Sequence, residues 1–209
     1  MINLSRIRWE ITSSCNLNCK HCFVANNKPL DELKLVDLKK ITNNLLDLGV
    51  KQISFTSKEP LMHPYIYKLI EYCNYNGIYT VLITNGTLLD SDEEILRLIN
   101  TGINSIIISL EGTRKSSNDY IRGFGVLKKV LSTLNNIYNL EQKNNIKISI
   151  GIQMSSNTLN IIEIDNIVEF FNTLPIDTLS IGDILIDGNA HTYKPVSYTH
   201  LRAHETSAH

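Results

Sequence analysis

Cys15, Cys19 and Cys22 stand within eight positions of one another in "SSCNLNCKHC", residues 13–22, while the rest of the 209-residue chain holds one further cysteine, Cys73. Three thiols packed this closely cannot all pair among themselves. In a reducing compartment, clustered cysteines are more often metal ligands or redox groups than disulfides. Three thiolates can bind three irons of a [4Fe-4S] cluster and leave the fourth open to a substrate or cofactor, whereas a closed electron-transfer cluster usually takes four cysteines. Zinc is the alternative, since His21 completes a Cys3His set. However, adjacent His21 and Cys22 are poorly placed to reach one tetrahedral ion, and no second pair of ligands is nearby. The spacing therefore favours a cluster on Cys15, Cys19 and Cys22. Cys73, inside "LIEYCNYNG", reads as a small core hydrophobe.

Such a loop needs a scaffold, and 43% apolar residues in 209 supply enough for a real core in one domain. Twenty Lys and Arg against 21 Asp and Glu leave a net charge of -1, which gives no electrostatic reason to expect nucleic acid or an acidic membrane as a partner. No run approaches the roughly 18 apolar residues of a membrane span, and "MINLSRIRWEITSS" lacks the regions of a signal peptide. A cytoplasmic location is expected.

Short β-branched runs alternate with longer amphipathic stretches, the pattern of parallel strands joined by crossover helices. Six strands are predicted: 7–12, 51–57, 78–86, 104–112, 146–154 and one within 177–186. "LKLVDLKKITNNLLDLG" places Leu38, Ile41, Leu45 and Leu48 on one helical stripe, with Gly49 as a stop. Helices follow at 64–77, from Ser91 to Gly102, at 125–140 and at 161–175. Ser91 with Glu94 forms a capping box. The near-continuous "SIIISL" suggests a strand buried on both faces, hence a parallel α/β barrel or open barrel, a partial (β/α)6 TIM-like architecture without its last helix. Chemistry in such folds lies at the C-terminal ends of the strands. His63 is expected in a turn, Asn157 as a cap after strand five, and Trp9 in the barrel wall.

Residues 196–209, "VSYTHLRAHETSAH", have no periodicity. Residues 196–206 look like a reading frame of a transposase-end sequencing adapter. That resemblance implies a core of residues 1–195 followed by an extraneous tail, and a gene cut short near Pro195. His200, His204 and His209 are then left out of any site.

"CNLNCKHC" has the C-x3-C-x2-C spacing of the radical S-adenosylmethionine (radical SAM) enzymes, including a ring-bearing residue before the third cysteine, here His21. The resemblance extends over residues 7–190. "ISFTSKEPLMHP" resembles the family's strand-two motif, usually Gly-Gly-Glu-Pro, which lies against the methionine amino group of the cofactor. Ser57, Lys58, Glu59 and Pro60 would occupy it. "ITNGTLL" resembles the end of strand three, with Asn85 facing the ribose region. "SIIISLEGT" with "NDYIRGFGVL" resembles the branch that modifies peptides and proteins, in which Ser109 and Arg122 would contact the cofactor carboxylate.

The resemblance implies reductive cleavage of S-adenosylmethionine (SAM) to a 5'-deoxyadenosyl radical that abstracts a substrate hydrogen. It also implies a peptide or protein substrate, a one-electron reductant such as a flavodoxin or ferredoxin, and a further cluster domain after the core. Ser57 and Lys58 replace the usual glycines, and a Cβ costs on the order of 1 kcal/mol or more wherever φ must be positive. Glu111 stands where aspartate is commoner. The alternatives are a small-molecule substrate, a cluster protein without SAM turnover, and a zinc-stabilised module.

Overall fold

The computed structural model describes residues 4–25, 31–184 and 187–192. Its strands are β1 (Arg6–Glu10), β2 (Gln52–Thr56), β3 (Tyr79–Thr84), β4 (Ser105–Ser109), β5 (Ser149–Ser156) and β6 (Thr178–Asp183). All neighbours pair in parallel, in the order β1-β2-β3-β4-β5-β6. The crossovers carry α1 (Leu35–Asp47), α2 (Ile66–Tyr75), α3 (Asp92–Ile99), α4 (Lys115–Arg122), α5 (Val126–Asn144) and α6 (Ile164–Asn172). The result is the half-barrel expected of a partial TIM-like α/β fold. Among the described residues no helix is long and apolar enough to cross a membrane. The adapter-like tail and the site of a closing helix lie outside the described residues.

One face of the sheet builds the core. Phe55, Leu82, Ile106, Ile108, Ile150 and Ile152 are buried against the helices in one apolar cluster, with Ile7 and Trp9 packed at its margin. The opposite face does not fit the expectation of strands buried in apolar surroundings on both sides. Ser54, Ser105 and Ser109 alternate with the core residues, and Ile107 is only half-buried. The "SIIISL" run thus divides between a dry face and a polar one.

The predicted stripe on α1 also shifts. Leu38 is fully buried and Leu45 and Leu46 pack on the core, but Leu48 is 57% exposed because it caps the helix. Buried Thr42 takes the intervening position and donates its hydroxyl to the Leu38 carbonyl at 2.9 Å. At α3, Ser91 Oγ accepts from the Glu94 amide at 3.3 Å. The return half of the capping box is replaced, since Glu94 accepts from the Tyr67 hydroxyl at 2.9 Å instead. The helix predicted at 125–140 is α5, and a shorter helix not predicted, α4, precedes it. Gly123 and Gly125, with φ of 122° and 79°, separate α4 from α5.

Asn157 does cap the turn after β5, accepting from the Leu159 amide at 2.9 Å. Cys73 is fully buried on α2, and burial raises its thiol pKa to about 12, opposed by a hydrogen bond with Thr42. Cys73→Ala should therefore cost about 1 kcal/mol of packing. It should leave the iron content of reconstituted protein unchanged, as measured by urea unfolding beside iron analysis.

Candidate functional site

β1 ends beneath the cysteine loop, which is tied down on two sides. The Lys20 amide donates to the Ile121 carbonyl at 2.9 Å, and the Cys19 thiol lies 3.9 Å from the Arg122 carbonyl, so α4 supports one flank. The other flank is held by the turn Gly188–His191 after β6, an attachment that no local signal predicts. The Asn189 amide donates to the Cys22 carbonyl at 2.9 Å, and its side chain donates to Asn18 Oδ1 and the Cys19 carbonyl, each at 3.0 Å. Gly188, at φ 56°, packs so close that a Cβ would collide with the carbonyls of Cys22 and Phe23. First and last elements of the open sheet are thereby joined across the loop.

A cavity of about 440 Å3 opens beside the three thiols. Its wall gathers Cys15, Cys19, His21 and Cys22 with Ser57, Lys58, Asn85, Ser109 and Arg122, residues that come from the ends of β1 to β4 and from α4. Arg8, Glu111, Gln153, Ser155 and Asp183, none of them proposed as site residues on sequence grounds, also line it. Ser109 and Gln153 sit side by side in the β4–β5 register.

Glu59 and Pro60 do not reach the cavity wall. The Glu59 carboxylate is buried in a cage of protein donors: the Thr84 hydroxyl at 2.8 and 2.9 Å, the Asn85 amide at 2.8 Å and the Leu61 amide at 3.1 Å. Burial raises its pKa, with the amides of Asn85 and Leu61 and the Thr84 hydroxyl pulling the other way. Glu59 fastens the end of β2 to the end of β3, and Pro60 opens the 3-10 turn that follows. Asn85 is braced as well, accepting from the Thr87 amide at 2.9 Å and donating to Asn16 Oδ1 at 2.8 Å.

Ser57 and Lys58 have φ of 67° and 36°. Both therefore occupy the left-handed region that glycine adopts without strain, and each Cβ costs on the order of 1 kcal/mol there. Lys58 Nζ donates to the Ala25 carbonyl at 3.4 Å. These two residues also line a second cavity of about 170 Å3, shared with Trp9, Thr12 and Glu32, that does not include the thiols. His63 is buried at the turn before α2, with Nδ1 accepting from the Tyr65 amide and Nε2 3.3 Å from Glu32 Oε2, out of line for a hydrogen bond.

Glu111 and Arg122 are the buried charges of the site. Glu111 Oε1 accepts from Arg122 Nη2 at 2.6 Å and Nε at 3.1 Å, and His21 Nε2 lies 3.2 Å away. Oε2 accepts from the Ser155 amide at 2.7 Å. Burial alone would raise the carboxyl pKa, but the Arg122 guanidinium, aided by His21 and Ser155, overrides it and holds Glu111 at about 2. In turn Arg122, although desolvated, is kept charged by Glu111.

The donor set fits an iron-sulfur cluster. Burial raises the pKa of the Cys15 thiol and pushes that of Cys19 to about 11, so ligation would have to supply the positive charge that makes them thiolates. His21 lines the cavity, and its buried Nδ1 has no hydrogen-bond partner among the described residues, a polar atom left for a ligand. Among the described residues no three His, Cys, Asp or Glu side chains converge on a single-ion site, as zinc would need.

The sequence profile of the Radical SAM superfamily matches residues 9–171. The chain belongs to the radical SAM superfamily. Members use a [4Fe-4S] cluster and SAM. An AdoMet-dependent heme synthase of Methanosarcina barkeri is 32% identical over 136 residues, 63% of this chain and 39% of that protein. The mycofactocin maturase MftC of Mycobacterium tuberculosis is 30% identical over 132 residues, 63% of this chain and 34% of that one. The structure of Streptococcus suis SuiB bound to S-adenosylmethionine shares the fold, with a TM-score of 0.74 at 20% identity over 88% of this chain and 41% of that one. This radical SAM chain thus spans well under half the length of these relatives.

Two outcomes follow from the geometry. Glu111→Gln leaves the Arg122 guanidinium buried without its counter-charge and should cost about 3 kcal/mol at neutral pH. Because the folded pKa is depressed from 4.5 to about 2, the stabilisation is complete above 4.5 and fades as pH falls toward 2. Urea unfolding should accordingly show the gap between the two proteins shrinking at pH values below that carboxylate range. Lys58→Gly relieves a left-handed residue and should stabilise the protein by up to about 1 kcal/mol, with SAM binding unchanged or tighter by calorimetry. Weaker binding would mean that Lys58 contacts the cofactor.

Proposed function

We propose that this chain is the radical SAM core of an enzyme that cleaves SAM reductively and uses the 5'-deoxyadenosyl radical to modify a peptide or protein. The observation that carries it is the meeting of three thiols, Ser109 and Arg122 on one cavity wall. When bound, the cluster and SAM supply the radical chemistry, and the protein supplies binding, orientation and exclusion of water. Cys15, Cys19 and Cys22 hold the cluster. Glu111 engages Nε and Nη2 of Arg122. It thereby aims the remaining edge of the guanidinium at the cofactor carboxylate, which Ser109 on the same cavity wall also meets.

His21 presents Nδ1 to the cofactor from within the cysteine loop. Asn85, braced by Asn16 and Thr87, faces the ribose. The backbone at Ser57 and Lys58 receives the methionine amino group, while Glu59 and Pro60 keep that turn in place. That core spans residues 1–195, and residues 196–209 are an appended tail.

A peptide substrate draws support from matches to MftC and to a PqqA peptide cyclase of Bradyrhizobium diazoefficiens, and from the fold shared with SuiB bound to its precursor peptide SuiA. A small-molecule substrate is the second reading, favoured by the heme synthase match. The partner in either case includes a one-electron donor. Anaerobically reconstituted protein, reduced with dithionite in the presence of SAM, should release 5'-deoxyadenosine and methionine. A protein that assembles the cluster and releases neither would contradict the enzymatic reading.

A further inference from the structure

The outer side of the cysteine loop is covered by α4. The Lys20 amide bonds to the Ile121 carbonyl, the Lys20 ammonium lies 3.1 Å from the centre of the Tyr120 ring, and the Cys19 thiol lies 3.9 Å from the Arg122 carbonyl. α4 is thus in direct contact with the cysteine loop. Two residues beyond Arg122, Phe124 is 98% exposed.

That exposure is not slackness of the chain. Gly123 and Gly125 adopt φ of 122° and 79°, and the Asp119 carboxylate accepts from the amides of Gly125 at 2.9 Å and Leu127 at 2.8 Å. The loop is clamped at both ends with its ring in water. A large aromatic side chain displayed on a rigid loop is the kind of anchor that dominates protein interfaces.

The surrounding charge is one-sided. Residues 114–129 contain Arg114, Lys115, Arg122, Lys128 and Lys129 against a single carboxylate, Asp119, in a chain whose net charge is -1. Asp119 is turned into the loop and Arg122 is held by Glu111, so Lys115, Lys128 and Lys129, with Lys20, give the exposed face its sign. An exposed aromatic on a lysine-rich segment fits a partner that is acidic around an apolar centre. Phe124 lies two residues from Arg122, whose carbonyl is 3.9 Å from the Cys19 thiol, a place that suits delivery of an electron.

We propose that α4 and the Phe124 loop form the docking face for an acidic one-electron carrier protein. This rests on the cluster-and-SAM reading above. In the step it serves, the reduced carrier loses one electron and the cluster gains it, with no bond made or broken. The lysines steer the encounter and Phe124 seats it.

The test uses the full chain with its cluster reconstituted, and follows cluster reduction by rapid-freeze electron paramagnetic resonance (EPR). The probe is a reduced acidic [2Fe-2S] ferredoxin at low ionic strength, and dithionite is the small-molecule control. Phe124→Ser and the double variant Lys115→Glu/Lys128→Glu should each slow reduction by ferredoxin about 10-fold or more. The deficit of the charge variant should close at high salt, while reduction by dithionite and binding of SAM stay at the parent level. Ferredoxin rates equal to the parent's in both variants would overturn the proposal. So would sedimentation showing that the substitutions only break a dimer of this chain while those rates hold. Failure of the parent protein to assemble a cluster or to cleave SAM with dithionite would instead bring down the functional reading beneath it.

Discussion

A carboxylate and a guanidinium taken out of water together are tolerable only if each is fully matched, and that constraint organises the top of this half-barrel. Glu111 belongs to the segment leaving β4, Arg122 closes α4, Ser155 is on β5, and His21 sits inside the cysteine loop. One buried carboxylate therefore sets the distance between four parts of the chain. If it moved, Arg122 would lose its counter-charge and the cysteine loop one of its anchors. The extra methylene relative to aspartate gives Glu111 the reach to bond with Arg122 and the Ser155 amide at once.

Around this hub the site is built from braces. The Glu59 cage joins the ends of β2 and β3, Asn85 is fixed between Asn16 and Thr87, and Asn189 crosses from the end of β6 to the cysteine loop. Side chains that face the cavity are thus oriented by others that do not. Such an arrangement suits a reaction that needs a cofactor held in one pose and shielded from water.

Element order and the cysteine loop were legible in the sequence because both rest on local signals, namely hydrophobic period and ligand spacing. The demand for positive φ at Ser57 and Lys58 was legible for a similar reason, since the related motif carries glycine there. What could not be read depends on register and on distant partners. Nothing local shows that Leu48 is a cap rather than a core residue, or that Glu94 answers Tyr67 in place of Ser91. Ser109 follows buried Ile108, but only the pairing of β4 with its neighbours shows that it faces the cavity. Asn189 reaches the cysteine loop across 170 positions. Glu59 had the right neighbourhood, but its carboxylate proved to be turned into the protein.

The chemistry of this site depends most on three thiols holding a cluster whose fourth iron is free to meet SAM. Low-temperature EPR of the anaerobically reduced, reconstituted protein tests this directly. Addition of SAM should change the g-values and line shape of the reduced cluster signal, as ligation at an open iron requires. A full-intensity cluster signal that SAM leaves unaltered, under conditions where binding is shown by calorimetry, would contradict it.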